Sequence, residues 1–340
     1  MWCVVHGDDF TFTGYGDDLD YITDILKKEY ELKVRGRLGA GSQDVKEIDV
    51  LGRIIRLEEW GCTWQADPRH RRAVMEHFGF NDQTKPLITN GIKEDAMPEG
   101  REETILDAAE STQYRALAAR FNYLAADCPN IQYATKEVCR SMSAPTVRSQ
   151  ERLKKLARYL VGCREVKWYY RWQSDDVDKI EVHTDSDWAG CRRTRRSTSG
   201  GCITIGKHML KSWSTTQATV ALSSAEAEFQ AMIEGATRSL GLQSMLCELG
   251  APMEVVLWTD SSAAKSYSSQ RGLGRIRHLE VKNLWLQEIV CRGRLRLCKV
   301  LGTENPADIL TKFLSTKEID EGCWRMNVDI THSESTSRAS

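Results

Sequence analysis

The 340-residue sequence predicts an α/β protein, with a sheet flanked by helices in its C-terminal half, an all-helical block before it and a shorter strand-and-helix segment first. Three observations support this. Residues 180–184, 202–205, 209–213, 255–259 and 295–300 read as short strands. Residues 224–249 read as one long helix, with Phe229, Met232, Ile233, Ala236 and Leu240 as its apolar stripe and Gly250 just past its end. From Ser111 onward, Tyr114, Leu117, Phe121 and Leu124 recur at three- and four-residue steps, and 131–142 and 149–161 continue as helices.

Taken in order, residues 2–5 and 10–13 read as strands around a turn at His6-Gly-Asp-Asp9, and 17–30 as a helix carrying Leu19, Ile22, Ile25 and Leu26. Residues 49–57 and 61–65 read as a strand pair. Asp67 and Pro68 supply a cap and a first-turn proline for a helix that Gly79 ends. The expected division is 1–86, a polar linker over 87–103, a helical unit over 104–175, the α/β unit over 178–316 and a tail over 317–340. Its last residues, Ser- and Thr-rich from Thr331, are expected to be disordered.

Composition bounds the function. Apolar residues make up 41% and charged residues 28%, as in ordinary globular proteins. No apolar run reaches the roughly 18 residues of a membrane span, and residues 1–5 lack a signal peptide's basic and apolar regions. They read as though already inside a strand, which suggests a piece of something longer. The eleven cysteines form no C-x-x-C pair, which argues for reduced thiols in an intracellular compartment and against zinc. The net charge of −1 hides basic clusters at Arg69–Arg72, at Lys154, Lys155 and Arg158, at Arg192, Arg193, Arg195 and Arg196, and at Arg271, Arg275 and Arg277. Alone, each reads equally well as solvated surface. Their repetition near acidic motifs favours phosphate contact.

Four acids carry the chemistry: Asp185, Glu228, Asp260 and Asp308, each in its own short motif. Asp185 ends a strand in which Ile180 and Val182 alternate with polar neighbours. Asp260 follows the apolar run 255–258 of a strand buried on both faces. Asp308 follows Asn305-Pro306, a cap and first-turn proline, where it could also serve the helix dipole. On the long helix, Ser223-Ser-Ala-Glu226 fits a capping box, which would occupy Glu226 and leave Glu228 free. Converging carboxylates repel unless cations neutralise them. Hard oxygen ligands suit Mg²⁺ or Mn²⁺, and two such ions about 4 Å apart form a phosphodiester-cutting clamp.

The motifs Thr184-Asp-Ser-Asp-Trp-Ala-Gly190, Arg195-Arg-Ser-Thr-Ser-Gly200, Trp213-Ser214, Val220-Ala-Leu-Ser-Ser-Ala-Glu-Ala-Glu-Phe229, Thr259-Asp-Ser261, Arg277-His-Leu279 and Ala307-Asp-Ile-Leu-Thr-Lys312 occur in one order. Together they resemble the ribonuclease H domain of copia-type LTR retrotransposon polyproteins. The resemblance implies a ribonuclease H-like mixed five-stranded sheet with flanking helices. It maps the family's Asp-Glu-Asp-Asp set onto Asp185, Glu228, Asp260 and Asp308, with two Mg²⁺ or Mn²⁺ ions. Glu228-Phe-Gln-Ala231 matches the catalytic glutamate pattern. The implied partner is an RNA–DNA hybrid, held by Arg192, Arg193, Arg195, Arg196, Arg275, Arg277 and His278; Arg277 stands where the family usually has Lys. The implied setting is intracellular: cytoplasm, nucleus or virus-like particle.

Val5-His-Gly-Asp-Asp-Phe10 resembles the paired-aspartate hairpin of reverse transcriptases, which implies metal binding by Asp8 and Asp9. Leu51-Gly52, Tyr114-Arg-Ala-Leu117, Pro129-Asn-Ile131 and Arg158-Tyr-Leu160 continue the likeness, which covers nearly all of 2–315. It implies a partial reverse-transcriptase palm over 1–86 and a helical thumb or connection region after it. The family's upstream acid and fingers precede that hairpin, so this chain alone is not expected to polymerise DNA. The expected activity is hydrolysis of the RNA strand of hybrids. The alternatives are an inactive remnant that only binds nucleic acid and a reverse-transcriptase fragment that needs a separate upstream polypeptide.

Overall fold

A computed structural model describes residues 1–81, 83–91, 104–174, 177–271 and 284–332. β1 (Trp2–His6) and β2 (Asp9–Thr13) form an antiparallel hairpin that stands as its own two-stranded sheet, with Gly7 at a positive φ of 58° in the turn. α1 (Gly16–Glu29) follows. The strand expected over 49–57 is broken in two. β3 (Glu47–Val50) and β4 (Arg53–Glu58) are joined by Leu51 and Gly52, both at positive φ, and Asp49 accepts a 2.7 Å bond from the Gly52 N–H. An Asx-type bond and a glycine in the left-handed region make a turn that alternation of apolar residues cannot reveal. β5 (Gly61–Gln65) pairs with β4, and Asp67 caps α2 (Pro68–His77) by accepting from the Arg69 N–H at 2.8 Å.

The helical block comprises α3 (Ala108–Ala125), α4 (Pro129–Cys139) and α5 (Val147–Gly162). Reciprocal capping boxes at Asp107/Glu110 and Thr146/Ser149 begin α3 and α5. Tyr114, Phe121, Ile131, Leu153, Leu156 and Tyr159 are fully buried between them. Apolar side chains so buried contribute about 1.5–3 kcal/mol each.

The block does not stay helical to residue 175. β6 (Cys163–Arg171) leaves α5 directly, with Val166 and Trp168 buried on one face and Glu165, Lys167 and Tyr169 on the other. Its alternation is weakened by aromatic and basic residues on both faces, which hid it among the helices.

β7 (Lys179–Asp187), β8 (Thr198–Ile205), β9 (His208–Thr216), β10 (Glu254–Thr259) and β11 (Arg296–Lys299) form the expected mixed sheet, in the order β11-β10-β7-β8-β9. β7, β8 and β9 run as an antiparallel meander, and β10 is parallel to β7 and β11. α6 (Ser224–Glu248) crosses one face, where Phe229, Met232 and Ala236 share a core with Ile180, Val182 and Ile203. Gly235 permits this approach: a Cβ there would lie 2.5 Å from Thr184 Cγ2. α7 (Ser262–Ser268) and α8 (Trp285–Cys291) lie beyond β10; 279–283 of the helix expected over 279–290 fall outside the described residues. The opposite face receives α4 and a 3-10 turn, Pro306–Leu310.

The chain closes with α9 (Thr316–Arg325) and β12 (Val328–His332). In its described part, 317–332 is therefore not a tail. Ile319, Cys323, Met326, Val328 and Ile330 are buried, and β12 pairs with β6 to complete a second five-stranded sheet, β12-β6-β5-β4-β3. Thr331 and His332 belong to that strand, while 333–340, and 92–103 of the expected linker, lie outside the described residues.

Candidate metal centre

Each acid is delivered by a different element. Asp185 sits within β7, which runs three residues past the expected 180–184, and Asp260 directly follows β10, the parallel neighbour. Glu228 lies in the second turn of α6. Their carboxylate oxygens lie within 4.8 Å of one another, the single such group of three His, Cys, Asp or Glu ligands among the described residues.

The start of α6 explains why Glu228 and not Glu226 reaches the group. Ser223 Oγ accepts from the Glu226 N–H at 3.2 Å, and the Glu226 carboxylate accepts from the Leu222 N–H at 2.7 Å. Glu226 is thus engaged with the backbone preceding the helix. Glu228, two residues on, points at β7 and accepts from the Ser186 N–H at 3.2 Å through Oε1.

Asp308 stands in the 3-10 turn, not an α-helix. Asn305 fixes that turn from both sides: its Oδ1 accepts from the Ala307 N–H at 3.2 Å, and its Nδ2 donates to the Thr184 carbonyl at 3.0 Å. The second bond ties the turn to the residue before Asp185. Asp308 lies outside the group of three, and Lys312 Nζ is 2.8 Å from its Oδ2. Thr311 Oγ1 donates to Asp185 Oδ2. Thr311 and Lys312 were visible only as part of the Ala307–Lys312 motif. The spacing of four that pairs Lys312 with Asp308 was a signal that went unread.

The electrostatics match an acid cluster short of cations. Burial, then the charges of Asp308 and Asp260, push the Asp185 carboxyl well above the usual range, against the Thr311 bond. Burial, then Asp185 and Asp260, push Glu228 up as well, and burial with Asp308 raises Asp260. Burial alone would lower the Lys312 ammonium, but its bond to Asp308 and the charges of Asp185 and Asp260 raise it overall.

One atom tests whether a cation fits. Glu228 Oε2 is buried, in a residue only 9% exposed, and has no hydrogen-bond partner among the described residues. A buried polar atom without a partner is costly. A hard cation between Asp185, Glu228 and Asp260 would satisfy it, and an all-oxygen donor set suits Mg²⁺ or Mn²⁺.

The remaining expected residues divide. Arg192, Arg193, Arg195 and Arg196 are exposed on the loop between β7 and β8, at the strand end that carries Asp185. Arg275, Arg277 and His278 lie outside the described residues. Asp8 and Asp9 sit in the N-terminal hairpin, where Asp9 is ion-paired to Arg35 at 2.9 Å. Neither joins a group of three ligands among the described residues. No described helix is long and apolar enough to cross a membrane.

A three-stranded meander extended by two parallel strands, with its acids on the central strand, its parallel neighbour and the crossing helix, is a ribonuclease H-like fold. The solved foamy viral protease-reverse transcriptase in complex with RNA/DNA hybrid aligns with 88% of this chain and 35% of its own, at 10% identity and a TM-score of 0.51. The chain is similar to Pol polyproteins of copia-type retrotransposons. It is 28% identical over 316 residues to the retrovirus-related Pol polyprotein from transposon TNT 1-94 of Nicotiana tabacum, covering 88% of this chain and 23% of that protein. It is 28% identical over 209 residues to the corresponding polyprotein from transposon RE1 of Arabidopsis thaliana, covering 61% and 14%. It therefore spans less than a quarter of these relatives' length. No family model matches the chain.

Proposed function

We propose that this chain hydrolyses the RNA strand of RNA–DNA hybrids with divalent cations held by Asp185, Glu228, Asp260 and Asp308. The observation that carries the reading is the buried, unpartnered Glu228 Oε2 within a set of acids whose protons are held too tightly for carboxylates in water. Mg²⁺ or Mn²⁺ at this site would supply water activation and charge neutralisation at the leaving oxygen. Asp185, Glu228 and Asp260 would form one ligand set, with Asp185 and Asp308 flanking a second position. Thr311 orients the Asp185 carboxylate, and Asn305 holds the turn that brings Asp308 to it. Arg192, Arg193, Arg195 and Arg196 would meet backbone phosphates, which position a duplex without reading its sequence. Selection for RNA would act through its 2′-hydroxyls.

The test is cleavage of an end-labelled hybrid in Mg²⁺ or Mn²⁺. Wild type should cut only the RNA strand, and Asp260→Asn should not cut. Equal cutting by both would remove the acids from the mechanism, and binding without cutting would favour an inactive remnant.

A second reading has an observation of its own. Val5, Phe10 and Phe12 share one face of the N-terminal hairpin, Phe10 and Phe12 stack at 6.5 Å, and Val5 and Phe10 are 59% and 53% exposed. Such a face suits a partner, and the upstream part of the polyprotein would make Asp8 and Asp9 part of a polymerase site. Primer extension only when that polypeptide is added would support this reading.

A further inference from the structure

The arginine loop between β7 and β8 is gripped at both ends by one helix of the block outside the ribonuclease H-like sheet. Asp187, the last residue of β7, accepts from the backbone N–H of Thr198, the first of β8, and from Thr198 Oγ1 at 3.3 Å. The loop's two ends are thus tied together. Lys136 of α4 then donates to the same Thr198 Oγ1 at 2.6 Å. Its side chain is only 10% exposed, lies over the Tyr133 ring at 4.3 Å and pairs with Glu137 at 2.8 Å.

A second tie lies one turn further along α4. Arg140, bound to Glu137 at 3.1 Å, donates to Cys191 Sγ and, at 3.2 Å, to Thr194 Oγ1. Inside the loop, Arg195 donates through its backbone to the Cys191 carbonyl at 2.7 Å, and the Cys191 N–H donates to Arg196 at 3.2 Å. Gly190 completes the closure, since a Cβ there would lie 1.9 Å from Asp187 Oδ2.

Buried Lys136 contributes no contact to solvent-borne phosphates, yet its ammonium and the Thr198 hydroxyl form an unbroken path from α4 to Asp187. A buried network of this kind specifies one arrangement when all its members are satisfied. The loop's arginines are exposed and each carries substantial side-chain entropy. Fixing the backbone beneath them is the means by which they converge on one duplex.

We propose that Lys136 and Thr198 are positioning residues for hybrid binding, through which α4 holds the Arg192–Arg196 loop in its phosphate-binding shape. The proposal rests on the reading of that loop as a phosphate contact. It assigns to the helical block a role in substrate affinity and none in the chemical step.

The experiment measures affinity for a fluorescently labelled RNA–DNA hybrid by anisotropy in EDTA, where no cleavage intervenes, across a salt series. Thr198→Val keeps the shape of the side chain and removes both bonds. Thr198→Ser keeps the hydroxyl. Lys136→Met removes the ammonium from the same path. Thr198→Val and Lys136→Met should each weaken binding by about tenfold, the equivalent of about 1.4 kcal/mol, and flatten the salt dependence, whereas Thr198→Ser should bind as wild type. In an Arg193→Gln, Arg195→Gln background, Lys136→Met should add little, because the groups it positions are gone. Wild-type affinity and salt slope in both Thr198→Val and Lys136→Met, even with a lowered melting temperature, would overturn the proposal, as would full additivity in the arginine background. If wild type binds in this pattern yet cuts nothing in Mg²⁺ or Mn²⁺, the ribonuclease reading fails and the positioning role stands.

Discussion

Lys312 Nζ lies 2.8 Å from Asp308 Oδ2, so the fourth acid of the cluster carries its own cation. Among the described residues the other three acids make no ion pair of that kind, and Asp308 is also the one outside their common ligand set. On the proposed two-ion reading, the pairing would make the places for divalent ions unequal: one among Asp185, Glu228 and Asp260, and one at Asp308 that would compete with an ammonium.

Removing that ammonium should therefore act in opposite directions with and without metal. Lys312→Met in EDTA removes the ammonium paired with Asp308 and leaves Lys299, beside Asp260, as the remaining nearby cation, and its melting temperature should fall by about 2–4 °C, the equivalent of about 1 kcal/mol in a domain of this size. Added Mg²⁺ should raise that temperature more in the variant than in wild type. Thermal unfolding with a Mg²⁺ titration reads both. An equal Mg²⁺ response in the two proteins would show that Lys312 does not compete for the site.

The raised carboxyls predict an unusual pH dependence for the metal-free chain. Asp185 and Glu228 hold protons more tightly when folded than when unfolded, first through burial and then through each other's neighbours. The folded state therefore binds more protons, and their contribution to stability is complete below the ordinary carboxylate range and is lost as pH rises toward and beyond neutrality. His183 sets the opposite limb. Burial lowers its imidazole to about 4, so it is stably neutral near pH 7, and stability is lost as pH falls below the usual histidine value. In EDTA, a chemical-denaturation series across pH should show stability declining toward pH 9. Saturating Mg²⁺ should flatten that decline, because a cation takes the protons' place. A decline that persists unchanged in Mg²⁺ would mean the ion does not bind these acids.

Thr311 offers a test of how Asp185 is held. Its side chain is buried and its hydroxyl donates to Asp185 Oδ2 and to the Asp308 carbonyl. Thr311→Val keeps its shape but frees the carboxylate. Cleavage should fall by about tenfold or more, since loss of such a bond costs about 1–3 kcal/mol, while hybrid binding in EDTA changes little. Unchanged turnover in this variant would leave Thr311 a purely structural residue.

The sheet and its acids were legible because both signals are local. The Val255–Trp258 run marks a strand buried on two faces, and Asp260 must then emerge at its end. The Asn305-Pro306 pair announces a turn start whatever the turn becomes. What escaped was long-range. β6 and β12 are 162 residues apart at the Lys167–Asp329 pair, and neither has a pattern strong enough to declare a strand by itself. Among the described strands β12 pairs with β6 alone, and β6 lies between β12 and β5. The Lys136–Thr198 bond was equally invisible, since nothing in a helix turn says which loop, 62 positions later, will meet it.

The choice between Glu226 and Glu228 can be made by one pair of isosteric variants. Glu226 serves the helix start: its carboxylate accepts from the Leu222 N–H, and its own N–H donates to Ser223 Oγ. Glu226→Gln keeps an acceptor there but loses the charge at a helix N-terminus, a change of about 1 kcal/mol or less, and cleavage should persist. Glu228→Gln replaces a carboxyl that burial and neighbouring acids keep protonated with a neutral amide of the same shape. In EDTA at pH 8 it should be more stable than wild type, because the unfolded chain no longer gains free energy by ionising at this position. With Mg²⁺ it should lose its cleavage activity and most of the metal-dependent rise in melting temperature. A stabilised, inactive Glu228→Gln beside a slightly destabilised, active Glu226→Gln is the signature of a metal ligand next to a cap. The reverse pattern would reassign the ligand to Glu226 and would require α6 to begin differently from the way it does here.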